Sequence, residues 1–274
     1  MTGTIPTEFA SLKHLLDVEF HGNMFTGTIP VEYFESDIQT LVNFNVGDNA
    51  LSGTLDTRIG LLTDLKGLHI FENNIGGNFP TEIGNVYYLS YTRVNGNQFD
   101  GPLPSELGRL GQLSELWYHQ NSFAGPIPSE LGRLDRLQDF RIWANNLTGT
   151  IPEELYNMSK LTRFSVRQMS LTGTLSTRVA QLTDLVELKV STNQLTGPIP
   201  SQIQNMTTLR LAWLHLNLFT GSVPQQICNL VKPGGLNFLQ ADCDPQGSAP
   251  NPCICCSACC DRSDGVCLLN NANQ

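Results

Sequence analysis

The chain is short of basic residues. It carries 16 Lys and Arg against 25 Asp and Glu, which gives a formal net charge of −9. This deficit argues against bulk binding to nucleic acid, and no basic run offers a membrane-surface anchor. The sequence also lacks any stretch of about 18 apolar residues, so it predicts no membrane insertion within this segment.

Signatures of catalysis are lacking as well. The sequence has no GxSxG, HExxH, P-loop or kinase motif. His119 with Glu115 and Asp139 could form an acid–base set on paper, but the repeat pattern puts them on an open sheet with no cleft to exclude water. We therefore predict that the chain is not an enzyme, and we assign it no catalytic residues, metal or cofactor.

Cysteine is absent before residue 228 and abundant after it. An even number of cysteines packed into a terminal segment favours disulfides, and so an extracellular or cell-surface location. Two alternatives exist for Cys256-x-x-Cys259: its spacing also suits zinc, or a redox pair in a thioredoxin-like context, which this chain does not offer. We predict disulfides among all eight, which are Cys228, Cys243, Cys253, Cys255, Cys256, Cys259, Cys260 and Cys267.

A Gly that is followed two residues later by an aliphatic residue or Phe, and usually then by Pro, recurs along the chain. Eight of the nine intervals are 24 residues, and the remaining one is 26 because two residues are inserted near Tyr33 to Asp37. A period held this long indicates a solenoid of stacked units, since one unit alone cannot bury its apolar face. The repeated residues are Gly3, Gly27, Gly53, Gly77, Gly101, Gly125, Gly149, Gly173, Gly197 and Gly221.

An Asn stands four residues before nearly every repeated Gly, with Met169 as the one exception. A Leu lies eight residues before each of these positions, and two further apolar residues alternate between them. The unit is therefore LxxLxLxxNxLTGxIPxxLGxL, in which LxLxx has the period of two that is typical of a strand. We expect the Asn amide to satisfy the backbone where the strand ends.

This unit, from about Thr2 to Leu230, resembles the plant-type leucine-rich repeat of receptor-like kinases, receptor-like proteins and polygalacturonase-inhibiting proteins. The resemblance implies an α/β-type repeat solenoid: a right-handed curved superhelix with a parallel β-sheet on its concave face and irregular or 3-10 turns on its convex face. We predict two regions, a solenoid of about nine full repeats over 1–230 and a Cys-rich C-terminal cap and tail over 231–274. Because the chain starts inside a repeat, we expect upstream sequence to be missing.

One more strand is predicted beyond the last full repeat. Leu236, Leu239 and Ala241 occupy its core positions, and Asp244 falls where the ladder Asn would be. Cys243 lies beside that strand and Cys228 in the preceding convex turn, so we expect these two to pair. The ending LxxLxADC followed by CxCCxxCC resembles the C-terminal box of secreted or membrane-anchored repeat proteins of diatoms and related algae.

Three N-glycosylation sequons support a secretory route. Asn157 and Asn205 are two repeats apart, so they should share one position on the convex side, and Asn146 should face solvent off the sheet. Glycans at these positions would leave the concave face free. The alternative is that all three are unmodified turn residues.

The residues between the core positions of each strand point outward, and they form columns across the repeats. All three Trp residues and four of the five His fall in these columns. Trp, Tyr and Arg are enriched at binding hot spots, so we predict a concave ligand-binding patch formed by His69, Phe71, Tyr91, Arg93, Trp117, His119, Arg141, Trp143, Arg163 and Arg167. The alternative is that aromatic residues and Arg on neighbouring strands only stabilise the sheet, with Glu115, Asp139 and Glu187 neutralising part of the charge.

Two kinds of function fit these features. In the first, the chain is an extracellular binding module, a receptor-like ectodomain that recognises a peptide, glycan or protein ligand. A secreted inhibitor of a cell-wall-degrading enzyme is a variant of it. In the second, it is a structural or adhesive cell-surface repeat protein without a discrete ligand.

Overall fold

A computed structural model describes residues 1–35, 40–231, 235–242, 253, 255–261 and 267–269. Each repeat contributes one strand to an inner sheet and most add a second short strand at the flank, so the two kinds alternate along the chain. The strands are β1 (Thr2–Thr4), β2 (Asp17–Glu19), β3 (Met24–Gly27), β4 (Asn43–Asn45), β5 (Ala50–Gly53), β6 (Gly67–His69), β7 (Asn74–Asn78), β8 (Tyr91–Arg93), β9 (Gln98–Asp100), β10 (Glu115–Trp117), β11 (Ala124–Pro126), β12 (Asp139–Arg141), β13 (Asn146–Thr150), β14 (Arg163–Ser165), β15 (Ser170–Thr172), β16 (Glu187–Lys189), β17 (Thr196–Pro198), β18 (Leu211–Trp213), β19 (Leu218–Thr220), β20 (Phe238–Asp242), β21 (Ala258–Cys260) and β22 (Cys267–Leu269).

The inner sheet runs in the order β2-β4-β6-β8-β10-β12-β14-β16-β18-β20-β21-β22. Its strands are parallel up to β21, and β22 is antiparallel. The pairing keeps one repeat in step with the next, so that Leu116 lies opposite Phe140 and Trp117 opposite Arg141. The middle residue of each three-residue strand points into the core, as Leu116 and Phe140 do, and both are fully buried. The predicted repeat solenoid and its outward columns are therefore confirmed.

Short flanking ladders and 3-10 turns complete each coil. The flanking strands pair as β1-β3-β5-β7-β9, β11-β13-β15 and β17-β19. The 3-10 helices follow them on the convex side, and each buries one or more apolar side chains against the next repeat. They span Glu8–Ser11, Val31–Phe34, Thr57–Leu61, Thr81–Asn85, Ser105–Arg109, Ser129–Arg133, Glu153–Asn157, Thr177–Gln181 and Ser201–Asn205. A short α-helix, α1 (Gln225–Cys228), takes the corresponding place near the C-terminal end. No helix in the described part of the chain is long and apolar enough to cross a membrane.

The ladder asparagines join each repeat to the one before it. Asn193 is typical: its Nδ2 donates to the Val166 carbonyl of the preceding repeat (2.7 Å) and to the Val190 carbonyl of its own strand end (3.1 Å). Its Oδ1 accepts from the Leu171 backbone N–H (3.1 Å). The side chain is buried, at 8% exposed, so these are bonds that water cannot replace. The role predicted for the Asn position is confirmed.

Met169 occupies one ladder position without an amide. Its backbone N–H still donates to the Thr192 carbonyl of the next repeat (3.2 Å), and its side chain is 9% exposed. The backbone path therefore survives the substitution, while the side-chain bonds that an Asn makes across repeats are lost at this step.

The predicted extra strand is present as β20. Leu236, Leu239 and Ala241 are buried in the core as expected. Asp244 lies outside the described residues. Instead, the Asp242 carboxylate accepts from the backbone N–H groups of Leu216 (2.5 Å) and Asn217 (3.3 Å), which have no further full repeat to pair with.

The pairing expected between Cys228 and Cys243 is wrong. Cys228, the last residue of α1, is bonded to Cys255, with the two Cα atoms 5.4 Å apart. The chain after β20 returns beside it as β21, and this brings Cys255 to α1. The repeat pattern could not show that return, because the segment after β20 does not follow the repeat. Cys243 itself lies outside the described residues.

The remaining described cysteines are also disulfide-bonded. Cys253 pairs with Cys256 and Cys260 with Cys267, and Cys259 is in a disulfide too. Because Cys256 is consumed by Cys253, the alternative in which Cys256-x-x-Cys259 offers thiolates to zinc is not realised. The same holds for the close set of His215, Cys260 and Cys267, since two of its three sulfurs are bonded to each other.

We expect loss of a ladder amide to be costly. Asn193→Leu should lower the free energy of unfolding by at least ~2 kcal/mol, because it leaves the buried Leu171 N–H and Val166 carbonyl short of a partner. Chemical denaturation measures the change. Met169→Leu, one repeat earlier, is the control and should change stability by less than about 1.5 kcal/mol. Equal losses in the two variants would contradict the ladder role.

Candidate ligand-binding surface

The ten residues of the predicted patch all lie on the concave side of the inner sheet, and we call them the concave patch. His69, Arg93, Trp117 and Arg141 are the third residues of β6, β8, β10 and β12. Tyr91 and Arg163 are the first residues of β8 and β14, and Phe71, His119, Trp143 and Arg167 lie two residues beyond the ends of β6, β10, β12 and β14.

Trp117 is held between two arginines. The Arg93 guanidinium carbon lies 4.1 Å from the centre of the indole ring, and that of Arg141 lies 4.4 Å from it. The parallel register makes this possible, because it puts Arg93, Trp117 and Arg141 at the same position on three adjacent strands. Both faces of Trp117 are thus occupied by cations, each a favourable contact with the ring's electron-rich face.

Trp143 is the centre of a second stack. The His119 ring lies nearly parallel to it, with ring centres 4.4 Å apart, and the Arg167 guanidinium lies 3.9 Å from its centre on the neighbouring strand. Arg167 also approaches Trp213 at 5.6 Å, and the Lys189 ammonium lies 4.7 Å from that ring. The stacking continues across the sheet as alternating aromatic and cationic side chains.

Acidic side chains hold most of these cations in place. Glu115 accepts from Arg93 Nη2 at 2.6 Å, and the Asp139 carboxylate forms two bonds of 2.8 Å with Arg141. Arg163 bridges Asp139 (3.5 Å) and Glu187 (3.3 Å). The Lys189 ammonium lies 2.7 Å from Glu187.

This pairing is the partial neutralisation that the sequence suggested for Glu115, Asp139 and Glu187. The first two of these carboxylates are engaged by arginines. His119 stacks on Trp143, so the acid–base set considered from the sequence is not assembled by hydrogen bonds in the described residues.

Burial shapes the titration of the histidines on this surface. His119 is 7% exposed, and burial, with the Arg141 and Arg167 guanidiniums adding to it, lowers its pKa to about 4. Burial also lowers the pKa values of His69 and His215. These histidines are therefore neutral at pH 7, and the positive charge of the surface comes from Arg and Lys.

The N-terminal end of the concave patch is packed differently. The Phe71 ring lies over Gly47 on the preceding strand and fills the space that a side chain would take there. His69 lies in the same way beside Gly67. Tyr91, at 44% exposed, presents its ring to solvent. Phe71 and His69 thus contribute mainly to the sheet's own packing.

A depression of about 360 Å³ lies at the C-terminal end of the concave patch, centred on Ser165. Ser165 is the third residue of β14, the position held by Trp117 and Arg141 on the two preceding strands of this column, so the short side chain leaves a gap. Arg141, Trp143, Arg163 and Arg167 line it, as the sequence pattern predicted for the patch. It is also lined by Ser165, Glu187, Lys189 and Trp213, which the predicted patch omitted.

Comparison with known proteins identifies similar chains. The family profile for the Leucine Rich Repeat matches residues 184–206. The chain is 30% identical to a TDR receptor and also 30% identical to the Arabidopsis receptor kinase HAESA, solved with the peptide hormone IDA and the co-receptor SERK1. In both cases 88% of this chain is covered, with a TM-score of 0.82.

A leucine-rich-repeat protein of Leptospira interrogans is 28% identical over 91% of this chain and 58% of its own, with a TM-score of 0.74. The chain spans only 40% of the length of the two plant receptor structures. No curated protein matches the chain in sequence.

The neutral state of His119 predicts a pH dependence of stability. Its folded pKa, about 4, is below its ordinary value of 6.5, so the unfolded chain binds the proton first as the pH falls. The free energy of unfolding should therefore be lost between pH 6.5 and 4, by up to about 1.4 kcal/mol per pH unit. Urea unfolding across this range measures it. His119→Gln should flatten that part of the profile, while His14→Gln at an exposed site should leave it unchanged.

Proposed function

This chain belongs to the leucine-rich-repeat proteins, and from that premise we propose that it is an extracellular or cell-surface binding module. Its ligand, a peptide, glycan or protein, lies on the concave face, as in a receptor-like ectodomain. The observation that carries the proposal is the run of Trp and Arg stacks on the exposed side of the inner sheet, because these residue types dominate binding hot spots.

The stacked arginines are suited to contact a ligand. A guanidinium that lies flat on an indole ring keeps its N–H donors in its own plane, so stacking does not use them up. The ring also restricts the long side chain, which lowers the entropy that a ligand contact has to overcome. Arg93, Arg141 and Arg167 are all held in this way.

The similar solved structures support a binding role. The HAESA structure contains a peptide hormone and a co-receptor, and another similar chain, the plant peptide hormone receptor RGFR1, was solved with RGF2. RGFR1 is 29% identical to this chain, which covers 45% of its length. A solenoid of this kind presents one continuous concave surface, and that suits an extended ligand.

An extracellular location fits the covalent chemistry of the chain. Every described cysteine is in a disulfide, a state that persists in oxidising compartments. The three sequon residues Asn146, Asn157 and Asn205 are exposed, and Asn157 and Asn205 each end a 3-10 helix at the same point of the repeat. Glycans on these residues would stand away from the inner sheet.

A structural or adhesive role is the second candidate. It is favoured by the same stacks and ion pairs, since they join side chains of adjacent strands and stabilise the sheet without any ligand. The two roles differ in what removal of the rings does. A structural role makes stability the main casualty, whereas a binding role makes ligand capture the main casualty.

The Trp117→Ala/Trp143→Ala double variant separates these roles. We expect it to lose at least ~10-fold in affinity for ligand captured from the native extracellular medium, because two hot-spot rings and the arginines that they hold are displaced. The free energy of unfolding should fall by only ~1–2 kcal/mol, the value of the lost cation–π contacts. Biolayer interferometry and denaturation measure the two effects.

A matched aromatic control is available off the concave face. Tyr87 and Tyr88 lie in the turn before β8 and are 55% and 57% exposed. Tyr87→Ala/Tyr88→Ala should bind as the parent chain does. If the Trp variant binds normally but unfolds far more easily, the structural role is correct.

The sequons give a separate prediction on localisation. Protein purified from its native source should lose mass when N-glycans are removed enzymatically, and Asn157→Gln should remove one glycan's share of that loss. Mass spectrometry of the intact chain checks this. An unchanged mass after enzyme treatment would show that the exposed sequons are unmodified.

A further inference from the structure

The depression over Ser165 has the features of a built polar site. Ser165 is only 5% exposed, and its Oγ has no hydrogen-bond partner among the described residues. A buried hydroxyl normally finds a partner, so one left without any is most simply explained by a group that binds there. The hydroxyl belongs to a residue on the floor of the depression, between the Arg141 and Lys189 positions of the neighbouring strands.

The walls of the depression carry excess positive charge on an acidic protein. Four cations line it against one carboxylate, that of Glu187, while the whole chain has a net charge of −9. Arg141 and Arg163 also meet Asp139, which leaves a surplus of two positive charges after both acids are counted.

Arg167 accounts for part of this surplus. It makes no ion pair within the described residues: its guanidinium stacks on Trp143 and donates to the Gln168 side-chain oxygen at 2.6 Å. Burial lowers its pKa, which shows that the cation is partly desolvated without compensation. An anion would supply the missing countercharge.

The balance of donors and acceptors favours a sugar over a peptide. Arg141, Arg163, Arg167 and Lys189 offer only donors, and Glu187 is the one charged acceptor in the lining. A peptide backbone brings a donor N–H with nearly every residue and would find few acceptors here. Sugar hydroxyl, ring, carboxylate and sulfate oxygens all accept.

The size of the depression points the same way. Its volume, about 360 Å³, is roughly that of a dozen water molecules, so an isolated small anion would leave most of it filled with solvent. A sugar ring that carries an anionic substituent fills it better. The open sheet on either side leaves room for neighbouring sugar units.

We propose that the Ser165 depression binds an anionic sugar unit of an extracellular oligosaccharide or polysaccharide, through a sulfate ester or a uronate carboxylate. Arg167 and Lys189 contact the anionic group and Ser165 donates to one of its oxygens. This inference rests on the proposed function, because it names the ligand class of the same concave face.

Calorimetric titration of the disulfide-intact full chain tests the proposal. The probes are a heparin-derived sulfated hexasaccharide, hexagalacturonate, neutral cellohexaose and hexaglutamate. We expect one of the two acidic oligosaccharides to bind, and which one binds distinguishes sulfate from carboxylate. Cellohexaose should not bind, and hexaglutamate should bind at least ~10-fold more weakly than the preferred oligosaccharide.

Two variants locate the binding in the depression. Ser165→Leu fills it without a change of charge, at a column position where Trp117 and Trp213 already accept large side chains. Arg167→Gln removes the unpaired cation and should leave the melting temperature unchanged or raised. Each should weaken the preferred oligosaccharide at least ~10-fold. Arg178→Gln makes the same charge change at an exposed convex site and should alter affinity less than about twofold.

Three results would overturn the proposal: equal binding of cellohexaose, tighter binding of hexaglutamate, or unchanged affinity in both depression variants. If neither acidic oligosaccharide binds while capture from the native medium still depends on Trp117 and Trp143, the sugar assignment fails and the binding function stands. If capture does not depend on those two rings, the binding function fails by itself.

Discussion

The asparagine ladder is the interaction on which the rest of the molecule depends. Each amide donates to a carbonyl of the preceding repeat and accepts from an N–H of that repeat, as Asn193 does with Val166 and Leu171. A one-residue slip between coils would break all of these bonds and turn the core residues outward. The ladder thus fixes the register of the inner sheet, and the register decides which side chains can meet on its surface.

The stacks on the concave face follow from that register. Arg93, Trp117 and Arg141 are far apart in the sequence but occupy one position on adjacent strands, about 4.8 Å apart, which suits a ring between two planar cations. Acidic residues at the first position of the same strands then hold the cations from the side. A flat sheet, with no cleft, acquires an ordered polar surface because its side chains support each other.

Much of this could be predicted from the sequence, for reasons that also explain the failures. The period reports the inner sheet and its columns directly, so Trp117, Trp143 and the arginines were placed correctly. The depression was missed because the prediction looked for large side chains, whereas Ser165 matters by being small. The partner of Cys228 was predicted wrongly because Cys255 follows a segment outside the repeat. The burial of His119 depends on its contact with Trp143, which only the assembled stack reveals.

The pairing of cations with acids sets the kind of ligand that this surface can hold. Asp139 and Glu187 keep the arginines and Lys189 in place, but they also occupy part of the donors, so one anionic group on its own gains only what Arg167 and the remaining N–H groups can offer. A chain-like ligand escapes this limit, because contacts on successive strands add once its first unit is bound. The acidic remainder of the protein repels anions elsewhere and so directs such a ligand to the basic columns. Extended, anionic and repetitive ligands are therefore the ones that a regularly spaced sheet of this charge pattern favours.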